Sequence, residues 1–346
     1  VSSDLRIPAH VPLAVATRGG IVEAVHYGSI ASVDRDGRLL HACGDPQALI
    51  FPRSSLKPLQ ALPLVTHPQF ERFGFTAREI ALLCASHSGE PRHAEAVVEM
   101  LGKIGAQKQN LMCGTHPPLY FEAMSIRPRA EDVYAVVHHN CSGKHTGMLA
   151  LAKLLDAPLA DYVNPEHPVQ QAILDAVAHF SGVPRADIVI GIDGCSAPNF
   201  ALPLAALARA FARLSDPEPD AVYGGAPQVI LDAMAAHPEM VSGLKRLDLA
   251  LAHAGHGDWI SKSGAEAVIA IVMRSRGIGV AVKISDGAMR ALGPVVVEVL
   301  RQLDLLGEVT DTPLESYAQP EIKNWRGVST GSVLPVFTLS QNPSRN

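Results

Sequence analysis

Ser54 and Lys57 stand three residues apart at the head of SSLKPLQALPLV, a stretch that reads as a helix over 54–65 with two prolines to shorten or bend it. That spacing puts both side chains on one helix face. A serine hydroxyl is a weak nucleophile until a neighbour takes its proton. A lysine can do so once burial or a nearby cation lowers its pKa towards neutrality. A helix N-terminus also favours developing negative charge. The plainer reading makes Ser54 or Ser55 an N-cap and Lys57 a solvated surface residue.

A second lysine–hydroxyl–glycine run, Lys262-Ser263-Gly264, enters the first strand of a late hairpin, where a glycine lets backbone approach a ligand closely. Its alternative is a turn with a solvated lysine. A Ser-x-x-Lys helix start, a much later Lys-Ser-Gly strand, a hairpin and a C-terminal helix follow the layout of serine β-lactamases and penicillin-binding proteins. Between them lies ASHSGE, where Ser86, His87, Ser88 and Glu90 crowd a helix end before Pro91. Ser86 could supply the middle serine of that layout, or the cluster could be a satisfied C-cap. A third group is Cys141, Lys144 and His145 in NCSGKHTGM, with Cys195 in DGCSAPNF. Two thiolates and a nitrogen could hold zinc. Two buried free cysteines, or a cysteine nucleophile beside His145, remain open.

The elements that must position these residues follow from periodicity. VEAVHYGSIASVD and GRLLHAC read as strands joined by a turn at 34–37. Thr76 with Glu79 opens a capped helix, and a further helix runs over 91–104. More helices fall at 145–155, from 165 to about 180, at 202–214 and at 227–236. GAEAVIAIVM and GIGVAVKI form a hairpin around RSRG, and a last helix over 288–305 is interrupted at Gly293-Pro294. Strands at both ends with helices between predict an α+β (α/β sandwich) fold with an antiparallel sheet. The expected organisation is one catalytic domain over 1–346, its central helical region at about 54–240 inserted between terminal strands.

Composition excludes several classes. With 346 residues, 47% apolar and 18% charged, the chain can bury a sizeable core and is not disordered. A net charge near −5 without a basic cluster argues against nucleic-acid binding. Apolar stretches such as 267–273 are too short to span a bilayer, and no signal peptide is visible at the start. Five cysteines form no disulfide framework and point to a reducing cytoplasm.

Five segments together, PRSSLKPLQALPL, CASHSGEPRH, HNCSGKHTGML, GIDGCSAPNFALPL and KSGAEAV with GVAVKISDG behind it, carry a resemblance over nearly the whole chain. The chain resembles the asparaginase II family of the rhizobial type, the class 3 asparaginases. That resemblance implies a serine β-lactamase-like or glutaminase-like fold, a homodimer, and hydrolysis of L-asparagine to L-aspartate and ammonia. It implies two Ser-Lys pairs, Ser54 with Lys57 and Ser86 with Lys262, with Lys283 the competing lysine in the second. It implies zinc held by Cys141, Lys144 and Cys195, supporting substrate binding rather than activating water. Arg53, His145 and Asp193 are then expected at the pocket or behind the metal, and Glu90 at the substrate. Ser54 would attack the side-chain amide, Lys57 would move its proton to the leaving nitrogen, and Ser86 and Lys262 would relay. The alternative enzyme is a glutaminase-like or β-lactamase-like serine acyl hydrolase. A non-catalytic binding module is disfavoured because Ser54 and Lys57 are both present.

Overall fold

The computed structural model describes residues 6–129 and 131–341. The chain opens with β1 (Val11–Arg18), turns at Gly19 and Gly20 with positive φ, and returns as the long β2 (Ile21–Asp34). β3 (Leu39–Cys43) follows the turn at 34–37, and β4 (Leu49–Ile50) leads into the helical region. β1 was not anticipated in the sequence, although two consecutive glycines suit a tight hairpin.

The helical region holds α1 (Lys57–Val65), α2 (Ala77–Leu83), α3 (Pro91–Lys103), α4 (Tyr120–Ala123), α5 (Ser142–Leu154) and α6 (Pro168–Ser181). Short strands β5 (Ile190–Ile192), β6 (Pro198–Phe200) and β7 (Leu202–Pro203) precede α7 (Leu204–Leu214), α8 (Ala226–Ala236), α9 (Pro238–Val241) and α10 (Leu247–Ala254). The chain then returns to the sheet as β8 (Trp259–Gly264), β9 (Val268–Met273) and β10 (Ile278–Ile284). It ends with α11 (Met289–Gln302), α12 (Glu315–Ala318), β11 (Glu321–Lys323), β12 (Ser329–Pro335) and β13 (Ser340–Gln341). The expected capping box is present, Thr76 and Glu79 satisfying each other's backbone N–H.

Three expectations are corrected. The helix over 54–65 begins as a 3-10 turn, Arg53–Leu56, and becomes α-helical only at Lys57. Lys262 does not enter the late hairpin but lies inside β8, a separate fully buried strand that pairs antiparallel with β9. Pro294 lies inside α11 without interrupting it. The bond it forfeits belongs to the carbonyl of Arg290 in the first turn, an exposed position that water can serve.

Among the described residues the main sheet runs β11-β12-β1-β2-β10-β9-β8, with β3 also on β2 and β13 on β3, every pair antiparallel. The first half of β2 pairs with β1 and its second half with β10. Both faces are covered, so β9 is apolar throughout. Val268, Ala270 and Val272 join the core shared with α1, α5, α6 and α7; Ile269, Ile271 and Met273 join the core under α11. α7 lies so close to β10 that a Cβ at Gly279 would sit 1.9 Å from the Ala208 carbonyl oxygen. β8 closes one edge of the sheet, and its end carries Lys262 to the foot of α1.

Candidate active site

The turn that carries Ser54 is held from two sides. Arg53 adopts φ +52°, a left-handed conformation that a side chain rarely takes. Its N–H donates to Asn199 Oδ1 at 3.2 Å, and its Nε donates to Asp193 Oδ1 at 2.7 Å. From the sheet, Gly264 presses on the same turn: a Cβ there would sit 2.6 Å from the Pro52 carbonyl oxygen. The glycine of Lys-Ser-Gly is thus a packing requirement for the serine turn. Ser54 borders both lobes of one cleft, of about 590 and 680 Å³, and no hydrogen bond reaches its hydroxyl among the described residues. Arg53, Asp193, Cys141 and Cys195 line the first lobe; Ser86, Ser263 and Gly264 line the second.

Lys57 is buried, and its Nζ donates to Ser86 Oγ at 2.9 Å, to Cys141 Sγ at 3.1 Å and to the Ala85 carbonyl. Three acceptors match the three hydrogens of an ammonium. Ser54 and Lys57, the first of the two Ser-Lys pairs that the resemblance implies, share no hydrogen bond, and Lys57 takes Ser86. Ser54 lies in the 3-10 turn and Lys57 begins α1, and the lysine head turns away to the acceptors that Ala85, Ser86 and Cys141 bring from the ends of α2 and α5. Ser86 follows α2 in irregular backbone, its N–H bonded to the Val241 carbonyl at 3.0 Å. α5 then closes on the end of α2, a Cβ at Gly143 falling 2.4 Å from the Leu82 carbonyl oxygen. Gly143 thereby brings Cys141 to Lys57.

Lys262 is fully buried and makes no hydrogen bond to Ser86. Its Nζ donates to the Ser263 carbonyl at 2.6 Å and lies 3.9 Å from Asp248 Oδ2. Burial pulls its pKa down to about 7, Asp248 acting against that and the Lys57 charge adding to it. The competing lysine, Lys283, donates to the Glu266 and Ile284 carbonyls and lines a separate pocket with His10 and Ser285. Of the two, Lys262 is the lysine beside Lys57.

Cys141, Lys144 and Cys195 come together as expected, all buried. Lys144 Nζ donates to Cys195 Sγ at 3.1 Å, and the Cys141 thiol stands beside the same sulfur. The neighbouring Cys141 thiol, with the Lys144 charge and His145 helping against burial, holds Cys195 far below the usual thiol range, while Cys141 is pushed well above it. Burial opposes the Lys144 charge, but the sulfurs of Cys195 and Cys141 outweigh it and keep the lysine above its usual range. His145 stands behind them. Tyr162 accepts from the Met112 N–H at 2.8 Å and shares a 2.6 Å hydrogen bond with His145 Nδ1. His145 Nε2 is buried towards Cys195 and makes no hydrogen bond among the described residues. Among the described residues no group of three His, Cys, Asp or Glu side chains is placed to hold a metal. Two thiols, an amine and an orphaned imidazole nitrogen in one buried spot nonetheless fit a thiophilic divalent ion, with lysine as the unusual donor.

Glu90 does not line the cleft. Its Oε1 accepts from the Leu244 N–H at 3.1 Å, and its Oε2 pairs with Arg92, so it pins the turn after α9. Sequence reasoning missed His116, His139 and Asn140, which line the first lobe. His139 Nδ1 accepts from the Cys141 N–H at 3.0 Å, and burial followed by the nearby His116 pulls its pKa down to about 3. The histidine pair ahead of Asn-Cys-Ser was the available signal. Asp248 was also missed.

Similar solved structures include a β-lactamase from Mycobacterium bovis, 15% identical over 80% of this chain and 94% of that chain, with a TM-score of 0.44. Mglu is 16% identical over 81% of this chain and 62% of that chain, with a TM-score of 0.37. No curated protein matches the sequence. The family model for L-asparaginase II matches residues 14–335. That span contains every residue of the cleft described above and supports an amidohydrolase: the chain belongs to the L-asparaginase II family.

Proposed function

We propose that the protein hydrolyses L-asparagine to L-aspartate and ammonia through Ser54. The observation that carries this reading is the meeting of two buried lysines, Lys57 and Lys262, beside the serines of one cleft. The Arg53–Asp193 pair on the first lobe supports an amino-acid substrate, offering a guanidinium to the α-carboxylate and a carboxylate to the α-ammonium. Ser54, with its unbonded hydroxyl on the cleft, attacks the side-chain amide carbon. Lys262 accepts its proton, because an amine with a pKa near 7 is partly neutral at physiological pH. Lys57, bonded to Ser86, returns a proton through that hydroxyl to the departing nitrogen. Water then hydrolyses the acyl ester by the reverse transfers. Zinc held by Cys141, Lys144 and Cys195 would supply a fixed positive charge beside the first lobe that helps to bind the substrate.

Exposed Leu49, Phe51, Val189 and Ile192 beside this site support a homodimer, tested by sedimentation at micromolar concentration. Five free cysteines favour a reducing cytoplasm. Ammonia release from L-asparagine, L-glutamine and other L-amides, run beside a β-lactam panel and the Ser54→Ala control, tests the activity. Turnover of L-glutamine or a β-lactam in preference to L-asparagine would replace this substrate assignment.

A further inference from the structure

Lys262 is gripped by a carboxylate from a different element. Asp248 is the second residue of α10 and is buried. Its Oδ1 accepts from Ser261 Oγ at 2.8 Å and from the Ser263 N–H at 2.9 Å. Its Oδ2 accepts from Ser263 Oγ and stands 3.9 Å from Lys262 Nζ. Ser261 and Ser263 flank Lys262 on β8. That strand is the edge of the sheet, so the Ser263 N–H has no strand partner and is free to take the carboxylate. A buried carboxylate with one hydrogen bond per flanking hydroxyl, one to the backbone, and a lysine beyond is a built clamp. Packing alone needs none of these groups.

We propose that Asp248 is a positioning residue that holds the Lys262 amine in the site and tunes its protonation. The inference rests on the reading of Lys262 as the proton acceptor. The other charged or titratable groups facing Lys262 are Lys57 from α1, Arg246 at the start of α10, Cys141 ahead of α5 and Cys84 after α2. Burial favours the neutral amine, Lys57 and Arg246 favour it further, and Asp248 is the main group that favours the ammonium. Asp248 thus keeps Lys262 a strong enough base to deprotonate serine while burial keeps it from being permanently charged. Removing the negative charge releases the proton at lower pH and leaves a weaker base.

The test is the pH profile of kcat/KM for L-asparagine. Asp248→Asn keeps the volume and removes the charge. Its acid limb should fall by roughly one pH unit or more, with a lower plateau in kcat. Asp248→Glu restores the charge and should bring the limb back towards wild type. Ser263→Ala acts in the opposite sense: it removes a donor that quenches Oδ2, so the limb should rise, and it remains informative should Asp248→Asn fail to fold. An NMR titration of labelled lysine, with the Lys262 signal assigned from Lys262→Met, reads the same shifts without turnover. Limbs and titrations unmoved in these variants would overturn the role of Asp248. Near-full activity in Lys262→Met would instead overturn the reading of Lys262 itself.

Discussion

Lys57 and Ser86, 29 residues apart in sequence, share a buried hydrogen bond of 2.9 Å, while Ser54, three residues before Lys57, shares none with it. One serine is thus held by a lysine and the other is left open to the cleft. Ser54→Ala is expected to lower kcat by roughly 10³-fold or more, the scale of losing a nucleophile that works as part of a unit. Ser86→Ala should cost less, and Ser86→Ala with Lys57→Met should cost little more than Lys57→Met alone. Steady-state ammonia release measures the losses, and mass spectrometry of quenched reactions locates the acyl group. Acylation of Ser86 in the wild type would exchange the roles of the two serines.

Lys262 sets an expectation for pH. A pKa of about 7 means the amine is mostly protonated below that value and mostly neutral above it. A neutral acceptor is required, so kcat/KM should rise with pH through about 7 and level off above it. Each unit below the limb should cost about tenfold for a single proton. A profile flat from pH 5 to 8 would show that Lys262 does not take the serine proton.

The parts of this site that sequence revealed are those that announce themselves locally. Cys141 and Lys144 share the first turn of one helix, and the Asp193–Ala197 turn presents Cys195 to them. The apolar run of β9 and the capping box of α2 were equally plain. The serine–lysine pairing was not legible. A spacing of three gives Ser54 and Lys57 a shared face in a 3-10 turn as in an α-helix, but it does not show that Ala85, Ser86 and Cys141 arrive from other elements to take the lysine. Nor could sequence show that Asp248 would meet Lys262, because that contact depends on α10 packing over the edge of β8. Glu90 was misassigned for the same reason: it lies close in sequence to Ser86, but its carboxylate is spent on a turn more than 150 residues away.

Two glycines separate packing from function. Gly264→Ala places a methyl 2.6 Å from the Pro52 carbonyl oxygen, and the turn with Arg53 and Ser54 must move. Gly279→Ala drives a methyl into the Ala208 carbonyl oxygen under α7, on a strand that contributes no residue to either lobe of the cleft. Both should destabilise by about 1–3 kcal/mol, the usual cost of overpacking. Only Gly264→Ala should also lower kcat/KM in the protein that remains folded. Denaturant melts with active-site-normalised kinetics measure both, and equal kinetic losses would remove the claim that Gly264 positions the serine turn.

Metal binding at Cys141, Lys144 and Cys195 should depend steeply on pH. Cys195 is held below the usual thiol range by the neighbouring Cys141, Lys144 and His145, so it has the least to give up on binding. Cys141 is pushed above the usual thiol range by the neighbouring Cys195 and by burial, and Lys144 is held above its usual range by the two sulfurs despite burial. Both must lose a proton before they can donate electron pairs to zinc. Binding is therefore expected to release about two protons and to weaken as pH falls. Calorimetry in buffers of different ionisation enthalpy counts the protons. Cys141→Ser and Cys195→Ser should each lower zinc content and raise KM for L-asparagine, while slow turnover persists at high substrate because the serines and lysines are untouched. A disulfide between the two cysteines in metal-free protein, visible as a mass loss of two hydrogens, would be reversed by reductant and prevented by zinc. Zinc content equal and substoichiometric in all three proteins would rule out the site. Turnover lost completely with the metal would instead give zinc a part in the chemical step.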